Sequence, residues 1–74
     1  MANLELRRYT AGEVGIRLRN NWEKSGLTQV KFAKKLGISQ PLLSQIISGE
    51  RAPNEAVLKL LGMKAVERYY VEIG

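Results

Sequence analysis

Apolar residues fall in short runs, and the spacing within the runs changes along the chain. Over residues 4–9 they alternate, with Leu4, Leu6 and Arg8 on one side and Glu5, Arg7 and Tyr9 on the other. That is the period of a short strand. From Val14 the step lengthens to four, through Leu18 and Trp22, which makes one buried stripe of a helix. Thr10-Ala11-Gly12-Glu13 fits a capping box ahead of that stripe, with Thr10 as N-cap and Glu13 reaching back. The helix should run to about Lys24 and end at Gly26, in a left-handed conformation. Trp22 continues the stripe and is read as core, not as a base-stacking residue.

Three shorter helices are expected after it. Thr28 caps Gln29–Leu36, whose apolar positions are Val30, Phe32, Ala33 and Leu36, the last three on one face. Gly37 closes it, and Ile38 points inward from a very short turn. Ser39 caps a third helix with Pro41 in its first turn, where the missing N–H costs nothing. Leu43, Ile46 and Ile47 form its inner face, and Gly49 ends it. Pro53 and Asn54 start a fourth helix, Glu55–Leu61, with Val57, Leu58 and Leu61 inward and Gly62 as its stop. Residues 65–73 are rich in aromatic and β-branched types (Val66, Tyr69, Tyr70, Val71, Ile73) and read as a strand. The competing reading continues residues 63–70 as a helix.

Composition narrows the chemistry. The 74 residues include no cysteine and no histidine, so the commonest general base, the commonest zinc ligand and any disulfide are missing together. The seven carboxylates are scattered and show no catalytic pattern. Ser39 is a cap with no base to activate it. No enzyme, cofactor, metal or small-molecule site is expected. No apolar run approaches a membrane span, and residues 1–8 lack the apolar core of a signal peptide, so a cytoplasmic protein is expected. The net charge is +5, which suits a polyanionic partner.

Two short helices joined by a glycine-containing turn make a helix-turn-helix. Ala33 is small where the helices cross, Gly37 takes the positive φ, and Ile38, Leu43 and Ile46 pin the second helix to the first. The polar face left over carries Gln40, Ser44, Gln45 and Ser48. The run Leu27-Thr28-Gln29-Val30-Lys31-Phe32-Ala33-Lys34-Lys35-Leu36-Gly37-Ile38-Ser39-Gln40, followed by Leu43-Ser44-Gln45-Ile46 and Gly49-Glu50-Arg51-Ala52-Pro53, resembles the lambda-repressor-like helix-turn-helix family. Phage Cro and repressor proteins belong to it. The likeness covers about residues 14–61.

The resemblance implies a mainly α domain of four to five helices with a core of residues 10–62, and the patterning adds short terminal strands at residues 4–9 and 65–73, all in one domain. It also implies roles. Gln40, Ser44 and Gln45 would meet base edges, and glutamine suits adenine. Pro41 stands where the family often has a polar reader. Pro41 and Leu42 could instead touch thymine methyls, although Leu42 serves equally as a capping hydrophobe. Gln29 would contact phosphate and brace Gln40. Lys31, Lys34, Lys35, Ser48 and Arg51 complete the phosphate contacts, the lysines being equally readable as a solvated face.

The function so implied is a Cro-like repressor of phage or plasmid type, bound to a palindromic operator as a homodimer. Tyr69, Val71 and Ile73 are the expected dimer interface, with the two terminal strands paired antiparallel within each chain. Two other readings stand beside it. One is an antitoxin that also represses its own operon; the other is a protein-interaction module that has lost DNA binding.

Overall fold

The computed structural model describes residues 7–73. Helices α1 (Ala11–Ser25), α2 (Gln29–Leu36), α3 (Gln40–Ser48) and α4 (Glu55–Leu61) are followed by strands β1 (Met63–Val66) and β2 (Tyr69–Glu72). The mainly helical class with a small terminal sheet is therefore as expected.

Each helix begins where a side chain can take an orphan backbone donor. Thr10, Thr28, Ser39 and Asn54 accept from the N–H groups of Glu13, Lys31, Leu42 and Val57. At α1 the box is reciprocal, because the Glu13 carboxylate accepts the Thr10 N–H at 2.9 Å. Pro53 is buried just ahead of α4, and Asn54 does the capping.

One core holds the helices together, built from Val14, Leu18, Phe32, Ala33, Leu43, Ile46, Val57 and Met63. Trp22, Ile47, Leu58 and Leu61 are half-buried against it. Val30 is 64 % exposed, since it lies off the face that Phe32, Ala33 and Leu36 share.

The tightest point is Gly15, which is buried in α1. A Cβ there would stand 2.7 Å from the Ile47 carbonyl oxygen of α3 and would collide with the Ile46 carbonyl oxygen. The two helices therefore meet backbone to backbone. Near the same end a Cβ on Gly49, after α3, would come 3.4 Å from the Gly12 Cα.

The carboxy-terminal segment corrects the sequence reading. Neither one strand over residues 65–73 nor a helix over residues 63–70 forms; β1 and β2 make an antiparallel hairpin instead. Its register pairs Met63 with Glu72, Lys64 with Val71, Ala65 with Tyr70 and Val66 with Tyr69. The chain reverses at Glu67 and Arg68, with Glu67 at φ 57° although it is not a glycine. Hairpin turns are usually signalled by Gly, Asn or Asp at positive φ, and this one carries none of them.

Of the strand expected over residues 4–9, residues 4–6 lie outside the described part. Tyr9 does pair antiparallel with Tyr70, through N–H to oxygen bonds of 2.8 and 2.9 Å. Side chains reinforce this joint. The guanidinium groups of Arg7 and Arg17 stand over the Tyr9 ring, 4.6 and 5.1 Å from its centre. Its hydroxyl donates to Glu72 at 3.3 Å, and Arg17 pairs with the same carboxylate at 3.3 Å.

Two stability experiments follow from these contacts. Gly15→Ala should lower unfolding stability by about 2 kcal/mol, since a clash with backbone that cannot repack falls at the upper end of the roughly 1–3 kcal/mol overpacking cost, and alanine returns only roughly 1 kcal/mol of helix propensity. Gly12→Ala, whose Cβ would meet only the Thr10 hydroxyl at 3.8 Å, should be neutral or mildly stabilising in the same urea titration.

The second experiment concerns pH. The Thr10 backbone N–H holds the Glu13 carboxyl below its ordinary pKa, and Arg7 acts in the same direction. The charged form is therefore the one the fold prefers. Its contribution is fully present above the ordinary carboxylate range and is lost as pH falls through the lowered value. Thermal melts at neutral and acid pH should show a smaller acid loss for Glu13→Gln than for the parent chain.

Candidate nucleic-acid interface

Helix α2 ends at Gly37 with φ 74°, a conformation cheap for glycine. The Gly37 N–H bonds to the Lys34 carbonyl at 3.1 Å and the Ile38 N–H to the Ala33 carbonyl at 3.0 Å. Three residues thus turn the chain from α2 into α3. Ala33 and Phe32 are buried on one side of the turn, Leu43 and Ile46 on the other.

With its apolar side against α1 and α2, α3 turns its other side outward. Pro41, Ser44 and Ser48 are exposed there, while Gln40 and Gln45 are half-buried at the edge of that face. The Gln40 amide donates to the Gln29 side-chain carbonyl at 2.9 Å. This bond ties the first residue of α3 to the first residue of α2. It leaves Gln40 a second N–H and its carbonyl oxygen, the pair a bidentate contact needs. The sequence-based pairing of Gln29 with Gln40 is thus seen directly.

Ser48 is less free than its exposure suggests. Its hydroxyl lies 3.0 Å from the Gln45 carbonyl and 2.8 Å from the Glu50 carboxylate. Arg51 follows with an exposed side chain, its backbone N–H bound to the Gln45 carbonyl at 3.1 Å. Gln29 is thus bonded to Gln40, and Ser48 and Arg51 to the Gln45 carbonyl, while Ser44 is exposed on α3 and Lys31, Lys34 and Lys35 are exposed along α2.

Charge is segregated. No acidic residue occurs between Lys24 and Gly49, while Lys31, Lys34 and Lys35 do. The ion pairs among the described residues are Arg7–Glu13, Arg17–Glu72 and Arg19–Glu23. They occupy α1 and the sheet, and leave the lysines of α2 unneutralised.

The residue that sequence reasoning missed is Gly15. It sits one step after Val14 in α1 and reads as an ordinary weak point of a helix. Its effect on the site appears only once α3 is laid across it. The Trp22 indole was read as core; it also donates to the Leu27 carbonyl at 2.7 Å, closing the loop that leads into α2.

This arrangement of α2, turn and α3 is what a family model described as helix-turn-helix matches, over residues 16–62. The match takes in more than half of the chain. The chain belongs to the lambda-repressor-like helix-turn-helix family. No curated protein and no solved structure matches it significantly. The family is one of DNA-binding domains of the transcription-regulator type, and this helix-turn-helix protein is one of them. No helix among the described residues is long and apolar enough to cross a membrane.

The amide lock of the helix-turn-helix can be tested without DNA. Gln29→Ala should cost no more than about 0.5–1.5 kcal/mol of stability, the net value of one such bond. In proton–nitrogen NMR spectra the Gln40 side-chain amide should move towards the shifts of a free glutamine. An unchanged Gln40 amide would mean that the bond is not formed in solution.

Proposed function

We propose that the protein is a sequence-specific repressor of the Cro-like, phage or plasmid type, acting on a palindromic operator as a homodimer in the cytoplasm. Helix α3 lies in the major groove. The supporting observation is the Gln29–Gln40 amide bond at the head of α3, inside a stretch whose only charges are positive. A glutamine held by its neighbour meets a base edge with little ordering left to do, and its free N–H and carbonyl match adenine N7 and N6.

Gln40, Pro41, Ser44 and Gln45 are the base-facing residues in this reading. Gln29, Lys31, Lys34, Lys35, Ser48 and Arg51 face phosphates, with Ser48 the least available because its hydroxyl already serves Glu50. Two copies are joined through the terminal sheet, which carries the exposed Tyr69 and Ile73 over the buried Val71. A two-fold axis there would set the recognition helices about 34–36 Å apart, one helical turn of DNA.

Selection of bound sites from random DNA tests this reading. It should return a palindrome with A·T pairs under Gln40 or Gln45. On that site Gln40→Ala should cost roughly 1–3 kcal/mol and relax the choice at one base pair, while Lys34→Ala weakens all sequences alike. If the dimer neutralises about 6 phosphates, affinity should fall on the order of 10³-fold between 50 and 200 mM salt. A Gln40→Ala variant with unchanged affinity and preference would refute the assignment of α3.

A further inference from the structure

Glu50 stands apart from the other charges near α3. It is exposed one residue past Gly49, directly after a stretch from Lys24 that holds cations only. The turn that carries it is tied back to α3. The Gly49 N–H bonds to the Ile46 carbonyl and the Arg51 N–H to the Gln45 carbonyl, both at 3.1 Å. The side chain is tied too. A serine hydroxyl has one hydrogen to give, and the nearer of its two acceptors at Ser48 is the Glu50 carboxylate, at 2.8 Å against 3.0 Å for the Gln45 carbonyl. Ser48 lies on the exposed row of α3 with Pro41 and Ser44, at helical steps of three and four. The carboxylate is thereby drawn to the far end of the surface that faces DNA in the repressor reading.

Stability gives no reason for this placement. A carboxylate past the C-terminal end of a helix meets the negative end of the dipole. The last turn of α3 holds no basic residue, and no cation pairs with Glu50 among the described residues. Near a phosphate backbone the carboxylate is worse placed still, because it opposes the attraction that Lys31, Lys34, Lys35 and Arg51 supply. A local rule broken without a stabilising return marks a functional position.

The chemistry of the major groove supplies that return. A carboxylate only accepts. Guanine and thymine present acceptors in the groove, and only the amino groups of cytosine and adenine can donate to it. The adenine amino group has the acceptor N7 beside it, whereas cytosine presents its donor alone. We infer that Glu50 is a specificity-determining residue, which accepts from the cytosine amino group of one G·C pair and rejects duplex that offers none there. Ser48 is its positioning residue. The inference rests on the repressor reading and adds to it discrimination by repelling wrong sites. From Gln40 to Ser48 the helix advances roughly 12 Å, so this pair differs from the one under Gln40.

The test compares the selected site with a random-sequence duplex, using the full chain and Glu50→Gln. Glutamine keeps the shape and an acceptor, but adds donors and removes the charge. Glu50→Gln should bind the random duplex several-fold more tightly than the parent, and the selected site no more tightly. A second selection should return the same palindrome with the cytosine preference lost at one position of each half-site. Ser48→Ala keeps the charge and releases the tether, so it should weaken that same preference and leave the choice of bases under Gln40 intact. Equal gains by Glu50→Gln on both duplexes would overturn the inference, since the carboxylate would then only repel phosphate. So would a Glu50→Gln chain that matches the parent on both. Either outcome leaves the repressor reading standing, because the parent still selects a site. A parent chain with no sequence preference would overturn both.

Discussion

Helix α3 lies against α1 at a separation that only a glycine permits. At Gly15 the facing atoms are the carbonyl oxygens of Ile46 and Ile47, so there is no side chain to repack if the spacing changes. Interiors at native density deform little, and a methyl group is enough to be felt. The side chains around the contact follow from it. Val14 and Leu18 on α1, and Leu43 and Ile46 on α3, are fully buried because their helices are this close. The outward tilt of α3, and with it the direction in which Gln40 and Ser44 project, is set by a contact on the opposite side of the helix.

The polar face can then be sparse. With its position fixed from behind, α3 needs no polar contact to hold it in place, and its outward residues are left for a partner. Gln40 and Ser48 are the exceptions: Gln40 is bonded to Gln29, and the Ser48 hydroxyl to the Gln45 carbonyl and Glu50. Electrostatics follows the same division. The three ion pairs among the described residues involve α1, Arg7 ahead of it and the sheet, and the stretch from Lys24 to Gly49 has cations only. Surface pairs of this kind add little stability. Their effect on the interface comes from where they are, since carboxylates engaged on α1 and the sheet do not offset the lysines of α2.

What could be read in the sequence was local, and what could not was a relation between distant segments. The bounds of α2 and α4 came out of Thr28, Gly37, Asn54 and Gly62, because capping involves residues three apart in the chain. The Gln29–Gln40 bond was legible from the family resemblance, since its two ends sit at fixed positions of a short motif. Gly15 was not, because nothing in α1 says which backbone will cross it. The hairpin failed for another reason. Residues 65–73 have the composition of one strand, and the break at Glu67 and Arg68 lacks the residues by which turns are recognised. Its partner strand β1 begins at Met63, directly after Gly62, where the pattern still allowed a helix.

The sheet and the recognition helix are mechanically one piece, although few residues join them. Tyr9 bonds to β2 through its backbone and to Glu72 through its hydroxyl, and Arg17 reaches the same carboxylate from α1. Arg17 lies two residues beyond Gly15, so the attachment of the sheet and the seat of α3 fall within one turn of a single helix. A rotation of the hairpin against the body would have to break the Tyr9 and Arg17 contacts together. With copies joined through the sheet, as proposed above, the distance between two recognition helices would be fixed by these contacts together with the packing of Met63 in the helical core. A rigid frame of that kind reads the spacing of two half-sites as strictly as it reads their bases. A flexible link between sheet and helices would accept several spacings and lose that selectivity.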